Sequence, residues 1–264
     1  MKKYEFTGET KIVVGVTLKR IRALISFGDV VKGEVGGFIE KEENLSHENN
    51  AWVADNAKVT GDAKVTGDAW VAGDAWVTDN AKVTGDAKVT GDAWVADNAK
   101  VTGDARVTGD AKVTGDARVA GDAWVADNAK VTGDAKVTGD ARVTGNAWVA
   151  GNALVAGDAR VTGNAWVAGN ALVAGDAWVT DNARVTGDAD YMLIDRIGSR
   201  NDFTTFFKNK GGGISVKCGC FSGTIEEFRE RVKKTHGADT KHAKVYQAAA
   251  DLAEMQILNN EKAD

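Results

Sequence analysis

Groups able to do chemistry are few in this chain: two cysteines and three histidines in 264 residues. Cys218, Cys220, His236 and His242 supply the donor types of a four-ligand zinc site, thiolate and imidazole. Their spacing, C-x-C followed by H-x5-H, is not a common finger pattern. Ile214, Val216, Cys218 and Cys220 also alternate with other residues as a half-buried strand does, which puts both thiols on one core face. Core packing is the favoured reading, with no metal and no cofactor. His47 stands alone in the polar stretch 41–48 and reads as a solvated loop residue. A second polar group, Arg200, Asn201 and Asp202 with Thr204 and Lys208, is the candidate for small-anion or protein recognition, because a guanidinium grips phosphate or carboxylate with two parallel bonds. A solvated hairpin turn is the competing reading.

The elements that would position these groups are organised around residues 51–188, where a six-residue unit is written twenty-three times without insertion. Position one is always Ala and position three always Val. Position two is Lys, Arg, Trp or Leu, position four Thr or Ala, and the last two are Gly-Asp, Gly-Asn or Asp-Asn. On a short strand, positions one and three point to the same side and positions two and four to the other. Ala and Val therefore face inward, and the closing dipeptides are turn chemistry. A period this strict predicts a solenoid in which three units make an 18-residue triangular coil.

The motif resembles the hexapeptide-repeat, left-handed β-helix superfamily, in which an aliphatic residue points inward with a small residue four positions later, here Val and Ala. That resemblance implies an all-β solenoid, a left-handed parallel β-helix; the usual crossover rule favours the opposite hand. It also raises acyl transfer and zinc-dependent hydration, since members of the superfamily include acyltransferases and enzymes similar to carbonic anhydrase. Such enzymes take a catalytic or metal-binding His from the coils. The repeat here has no His, Cys or Glu, so it holds neither a general base of suitable pKa nor a ligand set, and catalysis in the rod is disfavoured.

The organisation expected is a β cap over residues 1–50, the repeat over 51–188 and a small α+β head over 189–264. In the cap, residues 11–18 and 21–27 read as strands. In the head, residues 191–194, 203–207 and 214–220 read as three strands. The capping box Thr224-Ile225-Glu226-Glu227 predicts a helix from Ile225 to Gly237, and a second helix is expected from Lys241 to Leu258, its apolar stripe carrying Val245, Ala249 and Leu252 beside Tyr246, Ala253 and Ile257. The segments 198–201, 218–221 and 235–237 resemble a module that follows hexapeptide arrays in bacterial and prophage proteins. That resemblance implies a genomic setting rather than an activity.

Net charge is −5, and the repeat alone has 13 basic against 19 acidic residues. This balance argues against broad nucleic-acid binding. Two close cysteines are too few for a secreted disulfide framework, and no apolar run is long enough to span a membrane, so the expected setting is cytoplasmic. Stacked corner aspartates raise the idea of a DNA mimic. The Lys and Arg column on the adjoining face counts against it.

Columns 18 residues apart separate early from late coils. All eight tryptophans fall at position two on two faces and read as outward. Early duplications are offset by amounts that rotate the copies to different faces, as in a spacer. Between about residues 145 and 180, the unit triplet is copied in register. There Leu154 and Leu172 replace Lys and Arg, Trp148 and Trp166 stack, and Asn replaces Asp at Asn146, Asn152, Asn164 and Asn170. Contiguous Trp and Leu on a rod mark an interface, so Trp148, Leu154, Trp166, Leu172 and Trp178 are the candidate partner-binding residues. The partner expected is a protein, a second copy of this chain or its own head. The function expected is non-enzymatic binding or scaffolding, in a prophage accessory protein acting on a host protein such as a defence component. The alternatives are a sponge for a small nucleotide-like anion, and the acyltransferase already disfavoured.

Overall fold

The computed structural model describes residues 1–199 and 201–258. Each hexapeptide gives one strand from its second and third residues, so twenty-three two-residue strands run from β4 (Trp52–Val53) to β26 (Arg184–Val185). Every strand pairs in parallel with those 18 residues away, as Trp94 does with Trp76 and Lys112. The fold is a left-handed β-solenoid of about eight coils. Its first face is an eight-stranded sheet ending in β25 (Trp178–Val179), its third a seven-stranded sheet ending in β24 (Leu172–Val173), and its second runs to β26 and is lengthened to eleven strands by the N-terminal segment.

Coil holds coil through the backbone: Trp94 N–H donates to the Ala111 carbonyl at 2.9 Å and Ala96 N–H to the Val113 carbonyl at 3.0 Å. Inside, every position-one Ala and position-three Val is at most 1% exposed. At the corners, from Asp55 to Asp181, the fifth position takes φ between +53° and +74°. Gly103 shows why glycine dominates there: besides its φ of +70°, an added Cβ would lie 3.0 Å from the amide nitrogen of Gly121 in the next coil. Aspartate, which tolerates the left-handed region, substitutes at Asp55, Asp79, Asp97, Asp127 and Asp181, each followed by Asn.

The N-terminal segment departs from the strands expected. Residues 11–18 are not one strand, because Val14 (φ +50°) and Gly15 (φ +78°) turn the chain between β1 (Tyr4–Val13) and β2 (Val16–Ala23). Next, β3 (Val35–Ile39) pairs in parallel with β5 (Lys58–Val59), continuing the second face. This segment covers Trp52, which is fully buried rather than outward. Phe27 packs edge-on against its indole at 5.5 Å, and Gly36 leaves room where a Cβ would sit 2.6 Å from the ring. His47 is no solvated loop residue: it stacks on Tyr4 at 4.3 Å, accepts the Lys3 backbone N–H at 3.2 Å and meets Glu42 at 2.8 Å.

The head has four antiparallel strands, not three: β27 (Tyr191–Ile197), β28 (Asp202–Lys208), β29 (Ile214–Cys218) and β30 (Phe221–Thr224). Gly219 and Cys220 form the turn that ends β29 early, so Cys218 is buried while Cys220 is exposed. Helix α1 (Ile225–His236) starts on the capping box, with Thr224 Oγ1 accepting from Glu227 N–H at 3.3 Å and the Glu227 carboxylate from Thr224 N–H at 2.9 Å, and stops at Gly237. Helix α2 (Lys241–Leu258) buries Ala243, Tyr246, Ala249, Ala250, Ala253 and Ile257, whereas Leu252 is 50% exposed, so the buried stripe lies one residue round from the one expected. The head closes the rod. Phe207 is fully buried in the rod's core cluster, Thr205 Oγ1 accepts from Trp178 N–H at 3.1 Å, and Lys210 N–H donates to the Asn182 carbonyl at 3.2 Å.

If corner conformation and close coil stacking together choose the fifth residue, Gly103→Ala should lower unfolding free energy by about 1–2 kcal/mol, and Gly103→Asp by clearly less. Urea denaturation measures both; equal losses would contradict the stated role of the left-handed corner.

Candidate functional site

The late coils carry the two most exposed large apolar side chains of the rod, by a small margin: Trp148 is 44% and Leu172 41% exposed against 39% for Trp124 and 38% for Trp94, while Leu154 and Trp166 are half-buried. Trp148 and Trp166 stack with centroids 5.8 Å apart, and Leu154 pairs directly with Leu172. Beside the stacked indoles runs a groove of about 530 Å³, lined by Asn146, Asn164 and Asn182 at the corner, Trp148, Trp166 and Arg184 on the second face, and Lys210 from the head. The Asn146 amide donates to Asn164 Oδ1 at 3.1 Å. The Arg184 guanidinium lies 4.3 Å from the Trp166 ring centroid, a cation–π contact. Trp178 is in a different position. The head reaches it through Thr205 and through Lys217, whose ammonium is 4.1 Å from its ring, so Trp178 anchors the chain's own head. None of the head contacts just described falls on Trp148, Leu154 or Leu172.

Four of the tryptophans share a contact the columns do not announce. An indole N–H donates to the threonine 16 residues earlier, at position four of the preceding coil: Trp76 to Thr60, Trp124 to Thr108, Trp148 to Thr132 and Trp178 to Thr162, at 2.9–3.2 Å. Sixteen residues before Trp166 stands Ala150, and the Trp166 Nε1 is buried without a hydrogen-bond partner.

At the corner between the third and first faces, Asp68, Asp86, Asp104, Asp122, Asp140, Asp158 and Asp176 stand in one unbroken line. The Lys and Arg column on the adjoining face does not neutralise it by contact, since no carboxylate of this line forms an ion pair among the described residues. Asp86 and Asp122 are accordingly held above the usual carboxylate range, by desolvation first and then by Asp68 and Asp104 for the one, Asp104 and Asp140 for the other.

The polar tip expected on the head is only partly assembled. Arg200 lies outside the described residues. Asn201 is exposed in the turn at φ +51°. Thr204 is fully buried, its hydroxyl donating to Cys218 Sγ at 3.2 Å, because β28 begins at Asp202 and turns that side chain into the core. Lys208 is half-buried and 3.9 Å from Asp190. The four zinc donors do not converge either: Cys218 points inward, Cys220 is exposed, the rings of His236 and His242 are 6.0 Å apart, and no group of three or more His, Cys, Asp or Glu among the described residues is placed to hold a metal.

What the structure does bring together went unread in the sequence. His236 Nε2 is 3.3 Å from Ser199 Oγ and its ring stacks on buried Tyr246. Burial, and then the Cys218 side chain, push the Tyr246 phenol above its ordinary range, with hydrogen bonds from Ser199 opposing. The groove residues Arg184 and Lys210 were also missed. The 18-residue period signals Arg184, which follows Trp148 and Trp166 in its column; nothing local signals Lys210, which arrives only when the head docks. No known protein family and no curated protein matches the sequence. Among the described residues no helix is long and apolar enough to cross a membrane.

Giving the Trp166 indole its missing acceptor by Ala150→Thr should raise unfolding free energy by about 1 kcal/mol, measured by urea denaturation; no gain would show that the threonine bonds of the other indoles do not stabilise the rod. For the acidic line the sign follows from the raised values. The folded state favours the protonated carboxyl, so the destabilisation is present at neutral pH and relieved as pH falls through the carboxylate range. Asp104→Asn should therefore raise Tm in low salt at neutral pH, with a gain that shrinks toward about pH 4; a gain independent of pH would exclude charge repulsion as its cause.

Proposed function

We propose that this is a non-enzymatic binding or scaffold protein: a rigid rod whose late coils present a docking surface for a protein and whose head closes the rod beside it. The observation that carries the reading is the exposure of Trp148 on the second face and of Leu172 on the third, each beside a half-buried neighbour of its own kind, Trp166 and Leu154, on coils whose interior is identical to that of every other coil. Burying such a surface gains roughly 25 cal/mol for each Å² covered, and the replacement of corner Asp by Asn at Asn146, Asn152, Asn164 and Asn170 lowers the cost of removing it from water. Against catalysis stands the composition of the coils, which lack His, Cys and Glu. In this reading the resemblance of the head to modules in prophage proteins supports a setting in the cytoplasm of a bacterial host, with a host protein such as a defence component as the partner.

A second reading, sequestration of a small anion, is favoured by one feature, the pairing of Arg184 and Lys210 in a groove whose lining holds no carboxylate. The first reading predicts that replacing Trp148, Leu154, Trp166 and Leu172 by Lys or Thr, the residues used in other coils, leaves Tm nearly unchanged. The same change should weaken at least about tenfold the binding of a host protein recovered with the wild type, identified by mass spectrometry and purified for titration. Unchanged affinity would remove the late coils from the binding surface, and calorimetric binding of nucleotides to the wild type and not to Arg184→Glu would favour the second reading.

A further inference from the structure

Resting on the late coils as a docking surface, we infer the chemistry of the partner: the groove beside Trp148 and Trp166 takes an acidic segment of a protein. Its carboxylates lie at Arg184, Lys210 and the corner asparagines, and its apolar side chains lie over the indoles.

Charge is the first ground. The rod carries 19 acidic against 13 basic residues, yet the lining of this groove has two cations and no carboxylate. Neither Arg184 nor Lys210 forms an ion pair among the described residues. The two aspartates at the same corner are engaged elsewhere: Asp127 accepts from the Gly145 N–H at 3.0 Å, and Asp181 from the Ser222 hydroxyl at 2.5 Å. Lys210 is presented by a built turn. Its backbone N–H donates to the Asn182 carbonyl, and Asn209 Oδ1 accepts from Gly211 and Gly213 N–H at 3.0 and 3.1 Å.

The rod supplies its own comparison. On the same second face, Trp76, Trp94 and Lys112 repeat the order of Trp148, Trp166 and Arg184: two stacked indoles, then a cation over the second ring. The corner residue two places before each member is Asp74, Asp92 and Asp110 in the early copy, and Asn146, Asn164 and Asn182 in the late one. Corner shape does not require the change, since Gly73 and Gly91 take φ of +70° and +74° and Gly145 and Gly163 take +71° and +69°. Charge is what differs. An acidic segment is repelled by three carboxylates and accepts hydrogen bonds from three amides, so the late copy alone suits it.

The shape of the groove favours a chain segment over a small ion. Trp148 lies two coils, roughly 10 Å, from Arg184, and it is the more exposed indole of the pair. A small anion would meet only the cation end. An extended segment covers both ends, with a carboxylate gripped by Arg184 and an apolar side chain laid on Trp148.

The test uses the full chain, with a phage-displayed library of random peptides as the probe. Enriched sequences should combine Asp or Glu with an aromatic or branched apolar residue. In titrations of an enriched peptide, Asn146→Asp with Asn164→Asp should weaken binding at least about tenfold, and so should Trp148→Thr. Early coils already carry aspartate at this corner, so the double variant keeps the fold, which an unchanged Tm checks. No enrichment, or acidic peptides indifferent to the corner change, would overturn the inference; so would ATP binding calorimetrically where no peptide does, in favour of a small anion. Enrichment of neutral or basic peptides that are lost with Trp148→Thr would overturn the inference and leave the docking surface standing.

Discussion

Everything in this chain depends on coil-to-coil backbone pairing over an Ala and Val interior. The coil-to-coil bonds, such as Trp94 N–H to the Ala111 carbonyl, satisfy the peptide groups of each coil only if the next coil has the same shape. Shape is set by two choices: side chains small enough to fill a narrow triangle, and a corner residue able to take positive φ. Once those are fixed, positions two and four are released from the fold and can vary for other reasons. The ends are where the arrangement fails on its own, because a terminal coil exposes apolar interior and unpaired backbone. Trp52 under Phe27 at one end, and Phe207 with Thr205 at the other, supply the covering.

That division explains why the solenoid was legible in the sequence and the site much less so. Inward Ala and Val, corner Gly and the 18-residue column are all visible in a six-letter word, because the local turn and the long-range neighbour follow from the same period. The capping box at Thr224 and the stop at Gly237 were readable for a similar reason: both ends of α1 are set by residues adjacent in sequence. Where the neighbour comes from elsewhere, pattern fails. Thr204 reads as polar tip until β28 turns it onto Cys218. His47 reads as solvated until Tyr4 and Lys3 arrive from the N-terminus. Residues 11–18 read as one strand because Val14 is a poor turn residue, and only the pairing of β1 with β2 forces it to φ +50°.

The surface tells a related story about constraint. Tryptophan on the rod is rarely a bare patch: a threonine one coil back takes the indole N–H of Trp76, Trp124, Trp148 and Trp178, and a cation lies over Trp94, Trp124, Trp148, Trp166 and Trp178. Repeat expansion can therefore move a Trp to a new face at small cost, provided these partners move with it. The coils around Trp148 and Trp166 break the pattern at several points: Ala150 gives Trp166 no acceptor, Leu154 and Leu172 replace cations, and Asn replaces Asp at two corners. Such departures are what a surface selected for contact, rather than for solubility, would accumulate.

The account's central claim is that early coils are spacer and late coils are contact. Because one coil is a whole number of units, residues 87–104 or residues 147–164 can be removed without disturbing the columns above and below, and the copy at 165–182 keeps the head's docking coil intact in both cases. The affinity of the two deletions for the host protein recovered with the wild type, measured side by side by calorimetric titration, is the most direct test. Removing 87–104 should leave it within about twofold of the wild type, and removing 147–164, which takes one member each from the Trp148–Trp166 and Leu154–Leu172 pairs, should weaken it at least about tenfold. Equal losses, or a greater loss from the early deletion, would contradict the claim.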